Sequence, residues 1–269
     1  MTTTTTARVH ATASGATTMS AGRLLGAYLR EWWCEVVRTL RTPALAIPFL
    51  VLPTPIYLFF GVLLAGQAVA ARPGLAGYLF SGWLVFAAMM PGVFGVGCGL
   101  AIERSAGLHR LKRAQPAPPG AVVLAKMGMS LVLAGAAMAI LVLTARAAGT
   151  TALATSQIVS MACVVLIGTV PFSALGLFIG THVSGSAAPA VANLVFLPML
   201  WLSGLFIPLP GFLEPWVVVW PAFHLNQLSV AAAGLDNFRF IPPAIAVAVL
   251  AGMTVLFGGL AIRRLAERG

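Results

Sequence analysis

Six long runs of apolar residues, separated by short polar segments, occupy most of the sequence after residue 43. The runs cover residues 44–66, 75–102, 119–145, 157–180, 187–208 and 241–262. A helix needs about 20 apolar residues to cross the hydrocarbon core of a bilayer, and each run reaches that length. The pattern therefore predicts an all-α polytopic membrane domain with six transmembrane helices over residues 43–265.

The residues before the first run divide into two parts. Residues 1–19 are a low-complexity Thr/Ala stretch, which is typical of a disordered tail, here expected in the cytoplasm. Residues 20–42 predict an amphipathic helix, with Leu25 and Leu29 in its apolar sector and Arg30 on the opposite side. Its paired tryptophans and basic face favour an interface helix in the headgroup plane of the membrane. A solvated helix packed on a partner is the alternative.

The segment between the fifth and sixth runs is too apolar for a solvated loop. Its pieces between Gly211, Pro215, Pro221 and Gly234 are each too short to cross a bilayer. Irregular backbone at membrane depth must be buried in protein or line a cavity. Residues 209–236 therefore predict a re-entrant hairpin in the outer leaflet. Four of its side chains form a candidate outer gate: Trp216, Trp220, Phe223 and His224.

Composition and charge support the membrane assignment. Hydrophobic residues make up 59% of the chain and charged residues 8%, too few charges to coat a soluble surface of this size. The net charge of +10 lies in short basic clusters between apolar runs, which argues against nucleic acid as a partner. All Lys and Arg except Arg72, Arg146 and Arg239 fall on the side of the N-terminus. The positive-inside rule then predicts that both termini are cytoplasmic. We expect a multi-pass protein of the cell membrane, in a bacterial cell.

Motifs for catalysis or ATP binding are absent from the sequence. The two lysines, Lys112 and Lys126, do not follow a glycine, so no phosphate-binding loop exists. The three cysteines have neither disulfide nor zinc spacing. No acidic residue lies within a span, although ion-coupled transporters need such groups along the pathway. We therefore expect no enzymatic activity and no cofactor on this chain, and we expect Lys126 to reach up to the inner headgroups.

Few polar groups lie inside the spans. Gln157, Thr169 and Asn193 are candidates for lining a pathway, although interhelical hydrogen bonding is the commoner role of such residues. Two pairs of glycines four residues apart, Gly95/Gly99 and Gly176/Gly180, predict close helix packing.

Two stretches of sequence carry a resemblance to a known family. The first reads Glu103-Arg104…Gly107-Leu108…Leu111…Ala114…Pro116…Lys126, and resembles the pattern E-R-x-x-G-x-L-x-x-L-x-x-x-P…K. The second reads Ser203-Gly204-Leu205-Phe206-Ile207-Pro208 with Trp216, Pro221 and His224, and is similar to the pattern S-G-x-x-x-P…P-W…P-x-x-x. Together with the predicted topology, residues 20–265 resemble the ABC-2 family, the membrane subunits of type V ATP-binding-cassette exporters. His109, the basic run around it and the Thr-rich tail depart from the family pattern.

The resemblance implies a function and a set of partners. Such permeases pair with a second permease chain, identical or different, and with a separate ATPase that holds ATP and Mg. Residues 103–116 would be the coupling helix, with Glu103, Arg104, Leu108, Leu111 and Arg113 facing the ATPase. Leu108 and Leu111 would be exposed without such a partner, and Glu103 could pair with Arg38 or Arg41.

The implied activity is export of a hydrophobic or amphipathic compound, such as a drug, an antibiotic or a lipid. Export of a lipid-linked polysaccharide is the alternative within the family. A non-transporting scaffold or sensor subunit is the alternative outside it.

Overall fold

The computed structural model describes residues 20–72, 74–108, 120–206 and 214–268, and the regular structure within them is helical, without strands. The predicted tail, residues 1–19, lies outside the described residues. The helices are α1 (Ala21–Leu40), α2 (Pro43–Leu64), α3 (Gly66–Ala71), α4 (Leu75–Ser105), α5 (Ala121–Ala147), α6 (Thr155–His182), α7 (Ala188–Leu202), α8 (Glu214–Val217), α9 (Pro221–Ala232) and α10 (Pro243–Arg268). The expectation of an all-α fold is thus confirmed for this part of the chain.

Five of these helices, α2, α4, α5, α6 and α10, are long and apolar enough to cross a membrane. They coincide with five of the six predicted spans. The predicted fifth span corresponds to α7, which is apolar but has only 15 residues. Residues 207–213, which follow it, lie outside the described residues. The count of six spans therefore stays a prediction.

Proline and glycine explain where the long helices depart from regular geometry. Pro53 and Pro55 precede the π-helical end of α2, Tyr57–Leu64, and a second π-helical turn in α4 begins at Pro91. Because proline has no backbone N–H to donate, the ladder of hydrogen bonds shifts register around it. In α6 the regular helix is interrupted at Gly168, which divides it into two parts.

The helix at the centre of the fold is α4. In its most apolar 18-residue window 83% of the residues are buried, against 22% for α2 and for α10. It packs against α5, α6 and α9, so its side chains form much of the core, including Phe80, Leu84 and Met89. The peripheral helices α2 and α10 leave most of their apolar side chains exposed, as expected for helices that face lipid.

The predicted interface helix is present as α1, which packs against α5 and α2. One part of its apolar sector is buried and another part is exposed. Val36 is buried against the protein, whereas Leu25, Leu29 and Trp33 are exposed. The exposed strip suits contact with the headgroup region of a bilayer, and that placement stays a prediction.

The segment predicted to be re-entrant forms α8 and α9. Helix α9 packs against α4, α6 and α10, and eight of its 12 residues are buried. Helix α9 is thus surrounded by protein, whereas Trp216, Val218 and Val219, in and directly after α8, are exposed. Its depth in the bilayer is not fixed by these contacts, and the re-entrant assignment stays a prediction.

Glycines bring α4 and α6 into backbone contact. A methyl group at Gly176 would lie 2.2 Å from the carbonyl oxygen of Gly92, and one at Gly180 would lie 2.7 Å from that of Gly97. Close packing by the Gly176/Gly180 pair is confirmed. The Gly95/Gly99 pair does not pack against a helix backbone, because its nearest neighbours are the side chains of Phe49 and Lys126.

This contact gives a stability prediction with a matched control. We expect Gly176→Ala to lower the free energy of unfolding by about 1–3 kcal/mol, because the added methyl group must push two helix backbones apart. Gly252→Ala in α10 meets nothing within 4 Å and should be neutral or slightly stabilising. Unfolding of both variants in mixed micelles tests this. Equal stabilities would contradict the close contact.

Candidate functional site

Four charged side chains form a buried cluster, here called the ionic junction, where α1, α4 and α5 meet. The Nζ atom of Lys126 in α5 lies 2.6 Å from Glu35 Oε1 and 2.8 Å from Glu103 Oε1. Arg38 in α1 pairs with Glu35 at 2.6 Å and also contacts Glu103. Lys126 is 0% exposed and both carboxylates are almost completely buried, while the Arg38 side chain is partly exposed. One ion-pair network therefore connects three helices.

The junction corrects one expectation and confirms another. Lys126 does not reach the headgroups, because two carboxylates neutralise it inside the protein. Glu35, expected on a surface helix, is one of those two groups. The anticipated pair between Glu103 and Arg38 is present.

Charge balance explains how the junction can be buried. Two carboxylates face one ammonium and one guanidinium, so the cluster is neutral as a whole. An isolated buried charge would be far costlier than a paired one. Burial by itself lowers the pKa of Arg38, but the carboxylates of Glu35 and Glu103 outweigh it and the pKa is raised. The guanidinium thus stays charged at any physiological pH.

The end of α4 beside the junction is also hydrogen-bonded to α6 and to the turn that follows α6. Arg104 donates a hydrogen bond from Nη1 to the carbonyl oxygen of Gly180 at 2.8 Å. The Ser105 hydroxyl oxygen accepts one from the backbone N–H of Gly185, also at 2.8 Å. The end of α4 is thus in polar contact with α1, α5 and α6.

The predicted coupling helix, residues 103–116, is described as far as Leu108. Its first three residues belong to α4, which ends at Ser105, and Gly107 after it has a φ of 74°. Leu108 is 43% exposed, which agrees with the expectation that it is exposed when no partner protein is bound. Leu111 and Arg113 lie outside the described residues. Glu103 points into the junction, where it contacts Lys126 and Arg38.

A second feature is an apolar cavity of about 580 Å³ between α2, α4 and α7. Among the described residues that line it, none is charged. They are Ile56, Phe60, Gly61, Leu64, Ala65, Leu75, Leu79, Trp83, Phe86, Leu197, Leu200, Trp201 and Phe206. Aromatic rings are packed along one side, where the ring centroids of Trp83 and Phe206 are 4.1 Å apart. Its size and lining are typical of sites for apolar small molecules.

Comparison with family models identifies the chain. The model described as ABC-2 type transporter matches residues 27–240, which is most of the chain. The chain belongs to the ABC-2 type transporter family. It is thus a multi-pass membrane component of ATP-binding-cassette transport, a permease domain and not a catalytic one. No curated protein matched the chain.

The matched region of this ABC-2 chain contains the three predicted pathway residues, and each has a packing role or an exposed position. Gln157 donates from Nε2 to the carbonyl oxygen of Ala233 at 2.6 Å, joining α6 to the end of α9. The Thr169 hydroxyl is buried beside a carbonyl of its own helix. Asn193 is exposed on α7. None of the three lines the apolar cavity, and their role in a pathway stays a prediction.

The four residues of the predicted outer gate differ in exposure. Phe223 and His224 are buried, Trp220 is partly buried, and Trp216 is 69% exposed. His224 Nε2 lies 2.8 Å from the carbonyl oxygen of Val218. Since that oxygen can only accept a hydrogen bond, Nε2 carries the ring proton. His224 thereby closes the turn between α8 and α9.

Sequence reasoning missed Glu35 and the role of Lys126, although a signal existed. Glu35 is an acid three residues before Arg38, and it lies within about one helical turn of the apolar Val36 and the polar Thr39, which are also buried. The cavity was also missed, because its lining from α2 and α4 is completed by α7, which begins more than eighty residues after the end of α4.

Proposed function

We propose that this chain is the permease subunit of an exporter that moves a hydrophobic or amphipathic compound out of the cell. A separate ATPase would supply the energy, and two permease chains would form one pathway. Family membership supports the general role. The apolar cavity supports the substrate class. A charged ligand group would find no partner among the described lining residues and would be costly to bury, so the site favours an apolar ligand surface.

The ionic junction supports the proposed coupling. A push from the ATPase on the coupling helix, residues 103–116, would reach Glu103 first, and through it Lys126 and Arg38. The hydrogen bond of Arg104 would carry the same displacement to α6. Packed helices move as rigid bodies, so a small displacement at one end can open or close a space between them. In this proposal both termini and the coupling helix lie in the cytoplasm, as the distribution of Lys and Arg favours.

The apolar cavity is the proposed substrate site. It lies on α4, the central helix, and is open beside the exposed apolar faces of α2 and α7. A substrate dissolved in the bilayer could enter from that side. The aromatic rings of Trp83, Phe86 and Phe206 would bind an amphipathic compound by stacking and burial of apolar area.

The experiment begins with purification of the tagged chain from its native membrane and identification of the ATP-binding partner. The complex is then reconstituted in proteoliposomes, and ATP hydrolysis and transport are measured with a panel of hydrophobic and amphipathic compounds. We expect Leu197→Trp to reduce compound-stimulated hydrolysis and transport by about tenfold, because the indole would occupy the cavity. Basal hydrolysis should be unchanged.

Leu194→Trp is the matched control. Leu194 lies one turn earlier on α7, is 74% exposed, and does not line the cavity. It should transport like the wild type. If none of the compounds stimulates ATP hydrolysis, the result would instead support a non-transporting scaffold or sensor subunit. Equal loss in both variants would contradict the cavity as the substrate site.

A further inference from the structure

A lateral groove of about 540 Å³ lies on another part of the fold, between α6, α9 and α10. It shares no lining residue with the apolar cavity. Its walls include Ile167 and Pro171 of α6, Leu225 of α9, and Val247 and Ala251 of α10. None of the residues assigned to coupling, pathway or outer gate lines it.

The interruption of α6 at Gly168 shapes the floor of this groove. A methyl group at Gly168 would lie 2.1 Å from Leu225 Cδ1, so glycine lets the α9 side chain pack directly on the α6 backbone. The space beside this contact is left open. The atoms that line an empty recess lack dispersion contacts on one side. A bound molecule that fills the recess restores these contacts, so binding is favoured.

The chemistry of the groove matches a hydrocarbon. Among the described residues that line it, none is charged and Thr254 has the only polar side chain. The Thr254 hydroxyl donates to the carbonyl oxygen of Leu250 at 2.8 Å, so its hydrogen is already used within α10. A ligand in the groove therefore needs no hydrogen-bonding group at this depth.

The groove is continuous with the lipid-facing surface of the protein. Residues 243–262 of α10 contain no charged residue, and Ile245, Val255 and Leu256 are exposed along it. In α6, Ile167 is 71% exposed at the edge of the groove. Because α6 and α10 are both long enough to span the membrane, the groove opens sideways into the hydrocarbon core.

We infer that the lateral groove is a binding site for one acyl chain of a membrane phospholipid, held there longer than the surrounding bulk lipid. A flexible chain can follow an irregular recess by rotating its C–C bonds, whereas a helix of a second protein is a cylinder about 10 Å wide. The absence of charge among the lining residues favours the hydrocarbon part of the lipid and excludes its headgroup from the groove.

The inference can be tested without any transport assay. The purified protein is placed in lipid nanodiscs that contain a phosphatidylcholine with a diazirine in the middle of one acyl chain. After illumination, the labelled residues are mapped by mass spectrometry. Labelling should concentrate on the groove residues of α9 and α10, and be weaker at Val255, which is 75% exposed but does not line the groove.

Filling the groove is the decisive variant. Ala251→Trp should lower groove labelling by about tenfold, because the indole would occupy space that the acyl chain needs. If two methylene groups of the acyl chain are no longer buried, its affinity falls by about that factor. Val255→Trp, one turn further along α10 and outside the groove, should leave it unchanged. Val247→Trp, also in the groove, replaces Ala251→Trp if that variant fails to elute as a folded protein.

Three outcomes would overturn the inference. Labelling spread evenly over the exposed face of α10 would show bulk lipid only. Labelling that persists in both groove variants would show that the chain binds elsewhere. An intermolecular disulfide formed by Val247→Cys in place of lipid labelling would show that a second copy covers the groove.

Discussion

Lys126→Met is expected to lower the free energy of unfolding by about 3–5 kcal/mol, the range for removing one partner from a buried ion pair. The ammonium is 0% exposed and contacts two carboxylates. Without it, Glu35 and Glu103 would lose the buried cation that they share. The cluster would then hold an excess negative charge away from water. Unfolding by SDS in mixed micelles measures the loss.

A double-mutant cycle separates this charge effect from lost packing. Glu103→Gln alone should also destabilise, because it leaves an excess positive charge at the junction. Combining it with Lys126→Met restores neutrality, with Glu35 and Arg38 as a remaining pair at 2.6 Å. The double variant should therefore be clearly more stable than the sum of the two single losses predicts.

The exposed pair of Arg263 and Glu267 provides the control. It has nearly the same N–O distance, 2.8 Å, but both side chains are in solvent. Arg263→Met should give no measurable change, since solvent and salt screen such pairs. Strictly additive losses in the junction cycle would mean that Lys126 acts by packing alone.

Replacing Leu108 and Leu111 with Asp is expected to abolish both assembly with the ATPase and transport. The two positions are three residues apart, so on a helix they share one face. Leu108 is already exposed without a partner. Two carboxylates placed in an apolar contact would have to lose their water without gaining partners, which binding cannot offset. Copurification with the ATPase and transport in proteoliposomes measure the two losses.

The control for this variant keeps the leucines and adds the same charge. Ala106→Asp with Gln115→Asp puts two carboxylates into the same loop, and Ala106 is exposed. This variant should assemble and transport normally. If the variant with both leucines replaced still exports at the wild-type rate, the proposed coupling role of residues 103–116 is wrong.

The sequence alone predicted much of the fold. Runs of about 20 apolar residues have few options in a bilayer, because every backbone polar group must be paired within a helix. Five of the six runs accordingly appear as long apolar helices. The amphipathic pattern likewise predicted α1, and two short motifs supported the family assignment that the match over residues 27–240 confirms.

Close contacts between helices were harder to predict. The glycine spacing predicted the backbone contact of Gly176 and Gly180 correctly, whereas Gly95 and Gly99 face side chains of neighbouring helices. Spacing places small residues on one face of a helix but does not say which neighbour that face meets. The partner of Gly176 is Gly92, and no pattern within α6 could have indicated it.

What the sequence determined by itself depends on a residue and its near neighbours: the long apolar helices, the amphipathic helix α1 and the scarcity of charge within the spans. What only the tertiary structure decided was which distant groups meet. Lys126 was expected at the headgroups because a lone lysine beside a membrane is more stable in water. Folding instead placed Glu35 and Glu103 within 2.8 Å of it, and a buried ammonium with two carboxylate partners no longer needs that water.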